Sequence, residues 1–180
     1  MTVPDGGADE SFELRTAHDT HRFGLALGRL LRAGDLVVLT GELGAGKTTL
    51  TQGIAEGLQV RGPITSPTFV IAREHPSLVA GPALVHVDAY RLGGATELDD
   101  LDLDTALEDA VTVVEWGAGL AEQLSGELLE VVLERPDVAA AGSPGAEQDS
   151  RTVLVRRVGA RWSGVSIGMP RVRCGEPPPI

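Results

Sequence analysis

The sequence predicts an α/β domain, and three observations carry that expectation. Asp35-Leu36-Val37-Val38-Leu39-Thr40 is a continuous apolar run of strand length, as expected of a parallel strand buried on both faces. A glycine-rich loop follows, and beyond it Leu50, Ile54 and Leu58 recur every four residues, marking one face of a helix that starts near Lys47. Ala83–Asp88 and Val111–Glu115 repeat the strand signature downstream. A chain of 180 residues has room for one such domain of about 150 residues with a proper core, plus a tail.

Taken in order, residues 1–10 read as a flexible N-terminus and Phe12-Glu13-Leu14 as a short edge strand. Thr16-x-x-Asp19 has the form of a helix capping start, with Phe23, Leu27, Leu30 and Leu31 as an apolar face ending at Ala33-Gly34. After the loop helix, Val70 to Glu74 reads as a strand, and residues 97–109 carry seven acids threaded with leucines, as in a solvent-facing helix. Glu127–Glu134 and Thr152–Arg157 suit a late antiparallel pair, separated by an Ala/Gly/Pro/Ser-rich flexible loop at 136–149. These boundaries give a domain over 11–160 and a loose, basic, proline-rich tail over 161–180.

The loop between the first strand and its helix is the most informative segment. Gly41-Glu42-Leu43-Gly44-Ala45-Gly46-Lys47-Thr48 fits G-x-x-x-x-G-K-[ST] at every fixed position, the pattern of a phosphate-binding loop. Lys47 is the single lysine among fifteen basic residues, and the other fourteen are arginine. A cradle of backbone N–H groups leaves room for a compact ammonium, where a planar guanidinium would fit poorly. The helix N-terminus adds unpaired N–H groups and partial positive charge suited to phosphate. Thr48 is placed to offer its hydroxyl to Mg²⁺. A dinucleotide fingerprint is excluded, because Gly44-Ala45-Gly46 is followed by Lys47, Thr48 and Thr49 with no third glycine. The expected ligand is a nucleoside triphosphate.

Charge and composition narrow the partners. The net charge is −11, but residues 1–150 hold 9 basic and 25 acidic side chains, while residues 151–180 hold six arginines against Glu176. An acidic body is a poor surface for gripping nucleic acid over a broad face. The late arginines read either as contacts for phosphates or an acidic partner, or as a solvated strand and tail. One cysteine, Cys174, excludes a disulfide framework and a thiol metal site. The acidic N-terminus lacks an apolar h-region, and no apolar run approaches membrane-spanning length, so a cytoplasmic protein without membrane contact is expected.

Asp88 and Glu115 each close an apolar strand, where phosphate-loop enzymes place the acids that organise Mg²⁺ and water. A strand-terminal acid alone is an ordinary turn residue; two of them downstream of such a loop favour the site role. Glu115, after Val113-Val114, reads as the metal acid and Asp88 as its water-orienting partner. In Ser66-Pro67-Thr68 the proline holds Ser66 extended and fixes two flanking hydroxyls, either as a switch that senses the γ-phosphate or as a strand-entry turn. Trp116, beside Glu115, suits core packing or the site. His86 alternates with Asp88 along one strand face and reads as a satisfied strand histidine.

Gly41 to Thr49, Ser66-Pro67-Thr68-Phe69, His86-Val87-Asp88-Ala89-Tyr90-Arg91-Leu92 and Val114-Glu115-Trp116-Gly117 together resemble the TsaE family. These are small bacterial ATPases needed for the tRNA base N6-threonylcarbamoyladenosine, and the match spans roughly residues 12–157. The resemblance implies a P-loop NTPase fold, with a mixed, mainly parallel sheet flanked by helices. It further implies ATP with Mg²⁺, and action with a TsaD–TsaB complex, so that tRNA is met only indirectly. By the same resemblance Gly41 and Gly44 to Thr49 cradle the phosphates, Thr48 and Glu115 hold Mg²⁺, Asp88 supports hydrolysis with Lys47, and Arg151 matches a nucleotide-contacting arginine. Two other readings stay open at this point: a small-molecule kinase, and a nucleotide-responsive module with negligible turnover.

Overall fold

The computed structural model describes residues 9–67, 71–91, 108–119, 124–135 and 150–168. Within them β1 (Glu10–Leu14), α1 (Ala17–Gly28), β2 (Leu36–Gly41), α2 (Lys47–Leu58), β3 (Ala72–His75), β4 (Ala83–Asp88), β5 (Ala110–Glu115), β6 (Leu128–Glu134) and β7 (Arg151–Val158) follow one another. The strands form a seven-stranded sheet in the order β1-β7-β6-β2-β5-β4-β3. Its centre is parallel, with β2 between β6 and β5 and β4 on the far side of β5. The margins are antiparallel, β3 on β4 at one side and β7 then β1 beyond β6 at the other.

Successive side chains of a strand point to opposite faces, so a run that is apolar throughout must be covered twice. Val37 and Leu39 of β2, Leu84 of β4, Val111 and Val113 of β5, and Val131 of β6 join Phe23, Leu27, Leu50 and Ile54 in one core beneath the helices. Leu36, Val38, Val85, Val87 and Val114 fill a second core on the opposite face, with Leu124 against it.

α1 opens with the expected capping box: the Asp19 N–H donates to Thr16 Oγ1 at 3.1 Å, and the Thr16 N–H to Asp19 Oδ2 at 3.1 Å. Phe23, Leu27 and Leu31 are buried, but Leu30 is exposed. The helix ends at Gly28, and a tighter turn, Leu30 N–H to Leu27 O, rotates Leu30 off that face. The two helices touch through glycine. A methyl group at Gly24, Gly28 or Gly53 would strike the carbonyl oxygen of Leu50, Ile54 or His21 respectively, and one at Gly57 would lie 2.6 Å from Leu25 O. Both helices carry glycine at i and i+4, and the two pairs interleave at backbone contact.

The tail is corrected in its first part. A 3-10 turn at Ala160–Trp162 follows β7, with Trp162 and Ile167 buried in the main core. Arg161 donates from Nε to Asp35 Oδ1 at 2.9 Å and from Nη2 to Asp35 Oδ2 at 2.8 Å, and Nη2 also reaches Leu30 O at 3.1 Å. Residues 161–167 are therefore docked, since a tryptophan that removes its ring from water draws its neighbours with it. Residues 169–180 lie outside the described residues, as do 1–8, Thr68, the insert 136–149, and the acidic stretch 97–109 apart from its last two members. Among the described residues no helix is long and apolar enough to cross a membrane.

Candidate nucleotide site

The loop between β2 and α2 is set by its glycines. Gly46 caps α2 with φ 107°, left-handed backbone that a side chain would strain, and its carbonyl accepts the Leu50 N–H at 2.9 Å. No side chain caps this helix. Its first N–H groups thus remain for an outside acceptor, and a phosphate is the acceptor such an end favours.

Lys47 is buried, and its Nζ donates to Gly41 O at 2.8 Å and Glu42 O at 3.0 Å. The ammonium also lies 3.8 Å from the centroid of the Trp116 ring. Burial pushes its pKa below the usual lysine value, while the negative charges of Glu115 and Asp88 pull it part of the way back. Trp116 adopts φ 62°, uncommon for so bulky a residue, and Tyr90 packs on it with ring centroids 5.3 Å apart. Lys47 is thus held on the loop's own carbonyls.

The two acids arrive from neighbouring parallel strands. Asp88 ends β4, Glu115 ends β5, and they are register partners. Ligand sites of open α/β sheets lie at these carboxyl ends of strands. Glu115 Oε1 accepts from Thr48 Oγ1 at 3.3 Å, linking β5 to the first turn of α2. Asp88 Oδ2 accepts from Ser66 Oγ at 3.1 Å, and Oδ1 from the Tyr90 N–H at 3.0 Å. Arg151, at the start of β7, reaches across with Nε donating to Ala45 O at 2.9 Å, against the loop. Gly41, Gly44, Ala45, Gly46, Lys47, Thr48, Ser66, Asp88, Glu115 and Arg151 therefore converge on one end of the sheet. Thr49, in the first turn of α2, stands beside them.

The sequence reads His86 as a satisfied strand histidine; the structure satisfies it with a site acid. Its ring is fully buried, and Nε2 lies 2.8 Å from Glu115 Oε1. The available signal was its two-residue spacing from Asp88 in a strand parallel to the one that Glu115 ends.

Among the described residues no cluster of three or more His, Cys, Asp or Glu forms an all-protein metal cage. The donors at this end are hard oxygens: the Thr48 hydroxyl and the carboxylates of Glu115 and Asp88. That set fits Mg²⁺, which takes one or two protein carboxylates and completes its shell with water and phosphate.

Strand, glycine loop, helix and paired strand-end acids define a P-loop nucleotide-binding protein. Residues 14–141 match the family model described as threonylcarbamoyl adenosine biosynthesis protein TsaE, and the chain belongs to this family. A relative from Streptomyces coelicolor, the tRNA threonylcarbamoyladenosine biosynthesis protein TsaE, is 56% identical over 147 residues, covering 81% of this chain and 95% of its own. The protein of the same name from Mycobacterium tuberculosis is 59% identical over 129 residues, 68% of this chain and 77% of that one. The crystal structure of Bacillus subtilis YdiB superposes with a TM-score of 0.65 at 30% identity, covering 87% of this chain and 90% of the other.

Proposed function

We propose that this protein is a Mg²⁺-dependent ATPase that serves threonylcarbamoyladenosine formation at position 37 of tRNAs reading A-starting codons, together with a TsaD–TsaB complex in the cytoplasm. The observation that carries the reading is the Thr48–Glu115 hydrogen bond, which ties the loop helix to the strand-end acid where a phosphate-bound cation belongs. Relatives named for threonylcarbamoyladenosine biosynthesis support the pathway.

Backbone N–H groups of Gly44 to Thr49 receive the phosphates, and Lys47 exchanges the carbonyls of Gly41 and Glu42 for phosphate oxygens. The Trp116 ring packs against the ammonium, and Tyr90 packs on Trp116. Thr48 and Glu115 would hold Mg²⁺, which when bound offsets phosphate charge. Asp88 accepts from the attacking water and orients it, and its bond to Ser66 ties that event to the segment after Pro63. Arg151 steadies the loop through Ala45 O. The acidic body, with 25 acids against 9 bases over residues 1–150, favours tRNA contact through the partner proteins.

The test is phosphate release from ATP by the full chain, with and without TsaD–TsaB, beside the tRNA modification in cells depleted of the protein. Release should be weak alone and rise with the partners, and the modification should vanish on depletion and return with wild type but not Lys47→Ala. Persistence of the modification would reject the pathway. Mg²⁺-dependent nucleotide binding without release under any condition would reject the ATPase and leave a nucleotide-responsive module.

A further inference from the structure

We propose that His86 is a positioning residue: it fixes the Glu115 carboxylate for a divalent cation by donating its Nε2–H to Oε1 at 2.8 Å. The inference rests on the cation site proposed above and deepens it.

A carboxylate can only accept, so a hydrogen bond of this length requires the ring hydrogen on Nε2. His86 is 0% exposed and Glu115 3%. A carboxylate this deeply buried needs donors, and its rotamer is set by where they stand. Two donors are present, Thr48 Oγ1 from α2 and His86 Nε2 from β4, and both end on Oε1. That leaves Oε2 as the oxygen that can face a cation. The register explains how the ring gets there. Asp88 stands opposite Glu115 in the parallel pair, so His86, two residues earlier on the same face, stands opposite Val113 and directly behind the carboxylate. One acid is thus flanked by a second acid at the mouth of the site and by an imidazole at its back.

Nδ1 of His86 meets no partner among the described residues, so the hydrogen bond to Glu115 is what distinguishes this ring from an apolar one of equal size. Thr48 is the weaker tie, its bond being 3.3 Å against 2.8 Å for His86.

Three variants of the full chain decide the matter: His86→Gln, whose amide N–H extends about as far as Nε2; His86→Asn, whose amide falls short; and His86→Leu, which keeps bulk without a donor. Binding of a fluorescent ADP is titrated at rising Mg²⁺, with thermal unfolding measured alongside. The Mg²⁺ concentration at half effect should rise roughly 10-fold or more in His86→Leu and His86→Asn, the scale for losing a group that orients a metal ligand. His86→Gln should recover most of that loss, and nucleotide affinity without Mg²⁺ should match wild type throughout. Nitrogen NMR of the metal-free wild type should find the ring hydrogen on Nε2. An unchanged Mg²⁺ requirement in a folded His86→Leu would overturn the proposal, as would a hydrogen on Nδ1. If His86→Leu does not fold, equal Mg²⁺ requirements in His86→Gln and His86→Asn overturn it instead. Failure of the ATPase reading shows separately, as absent phosphate release from wild type, because the titration reads binding alone.

Discussion

The Asp35–Arg161 pair at the start of β2 and the Lys47, Asp88 and Glu115 group at its end are both buried charge, satisfied in opposite ways. At the first, one carboxylate meets one guanidinium through two parallel bonds of 2.9 and 2.8 Å, and the Arg32 N–H adds a third donor at 2.9 Å. The charges balance, the fork is filled, and the Trp162 ring lies 4.2 Å from the guanidinium carbon. At the second, the Lys47 ammonium lies near the Glu115 and Asp88 carboxylates but donates to backbone carbonyls. The acids are held by hydroxyls, an imidazole and a backbone N–H. A balanced, bidentate pair holds the chain in place. At the site each group is held by single bonds from separate elements, an arrangement in which one partner can be exchanged for another.

The largest effect should come from breaking the balanced end. Asp35→Ala leaves a largely buried guanidinium without its carboxylate and should cost about 3–5 kcal/mol of stability, read by urea unfolding. Nucleotide affinity should be unchanged in the fraction that folds; a parallel fall would mean the two ends are coupled. At the other end, Lys47→Ala should reduce phosphate release roughly 100-fold or more, the scale for removing one preorganised donor, about 2.7 kcal/mol in barrier. Its urea midpoint should barely move, because burial already works against the charged ammonium. Lys47→Arg should fail nearly as badly, since a planar fork cannot sit on the same two carbonyls. Ser66→Ala should lower turnover about fivefold, near 1 kcal/mol for one neutral hydrogen bond, and leave Mg²⁺-nucleotide affinity intact.

The smallest effect is one of pH. His75 is buried with Nδ1 bonded to Arg61 O at 3.0 Å, and its pKa lies below the usual histidine value. Burial is the main cause; the Arg61 carbonyl opposes it, and the charges of His86 and Arg73 add to it. In the folded protein the ring therefore takes up its proton at lower pH than in the unfolded chain. The unfolded state binds more protons in that window, so stability is complete above about pH 6.5 and declines as pH falls from there through the folded pKa. His75→Gln should flatten that limb of the stability profile, measured as unfolding midpoint against pH. Identical profiles for variant and wild type would remove His75 from the account.

Much of the site was legible because its chemistry is local in sequence. The loop, Thr48 and the helix start lie within one short pattern, and Asp88 and Glu115 each end a run apolar enough to read as a buried strand. β4 and β2 appear within a residue of where their patterns placed them. What escaped depends on pairing across the fold. His86 matters only because β4 lies beside β5 in a particular register. Trp162 and Ile167 fell in the stretch read as a loose, basic, proline-rich tail because their apolar partners lie far away in the chain. Leu30 has the right spacing for the buried face, but the helix ends before it. The glycine seam between α1 and α2 is invisible to helix propensity, which treats each helix alone.

Those four glycines have a consequence for anyone reading the protein by mutation. Gly24, Gly28, Gly53 and Gly57 are not among the site residues, yet each sits where one added carbon would meet the other helix's backbone. α2 begins at Lys47, so a shift forced along the seam would displace the loop that α2 carries. In a growth-scored library of all single substitutions, these positions should reject even alanine. Their tolerance profile would then imitate that of catalytic positions. Scoring protein abundance beside growth would separate them, because the glycine variants should be depleted from the cell while Lys47→Ala accumulates normally.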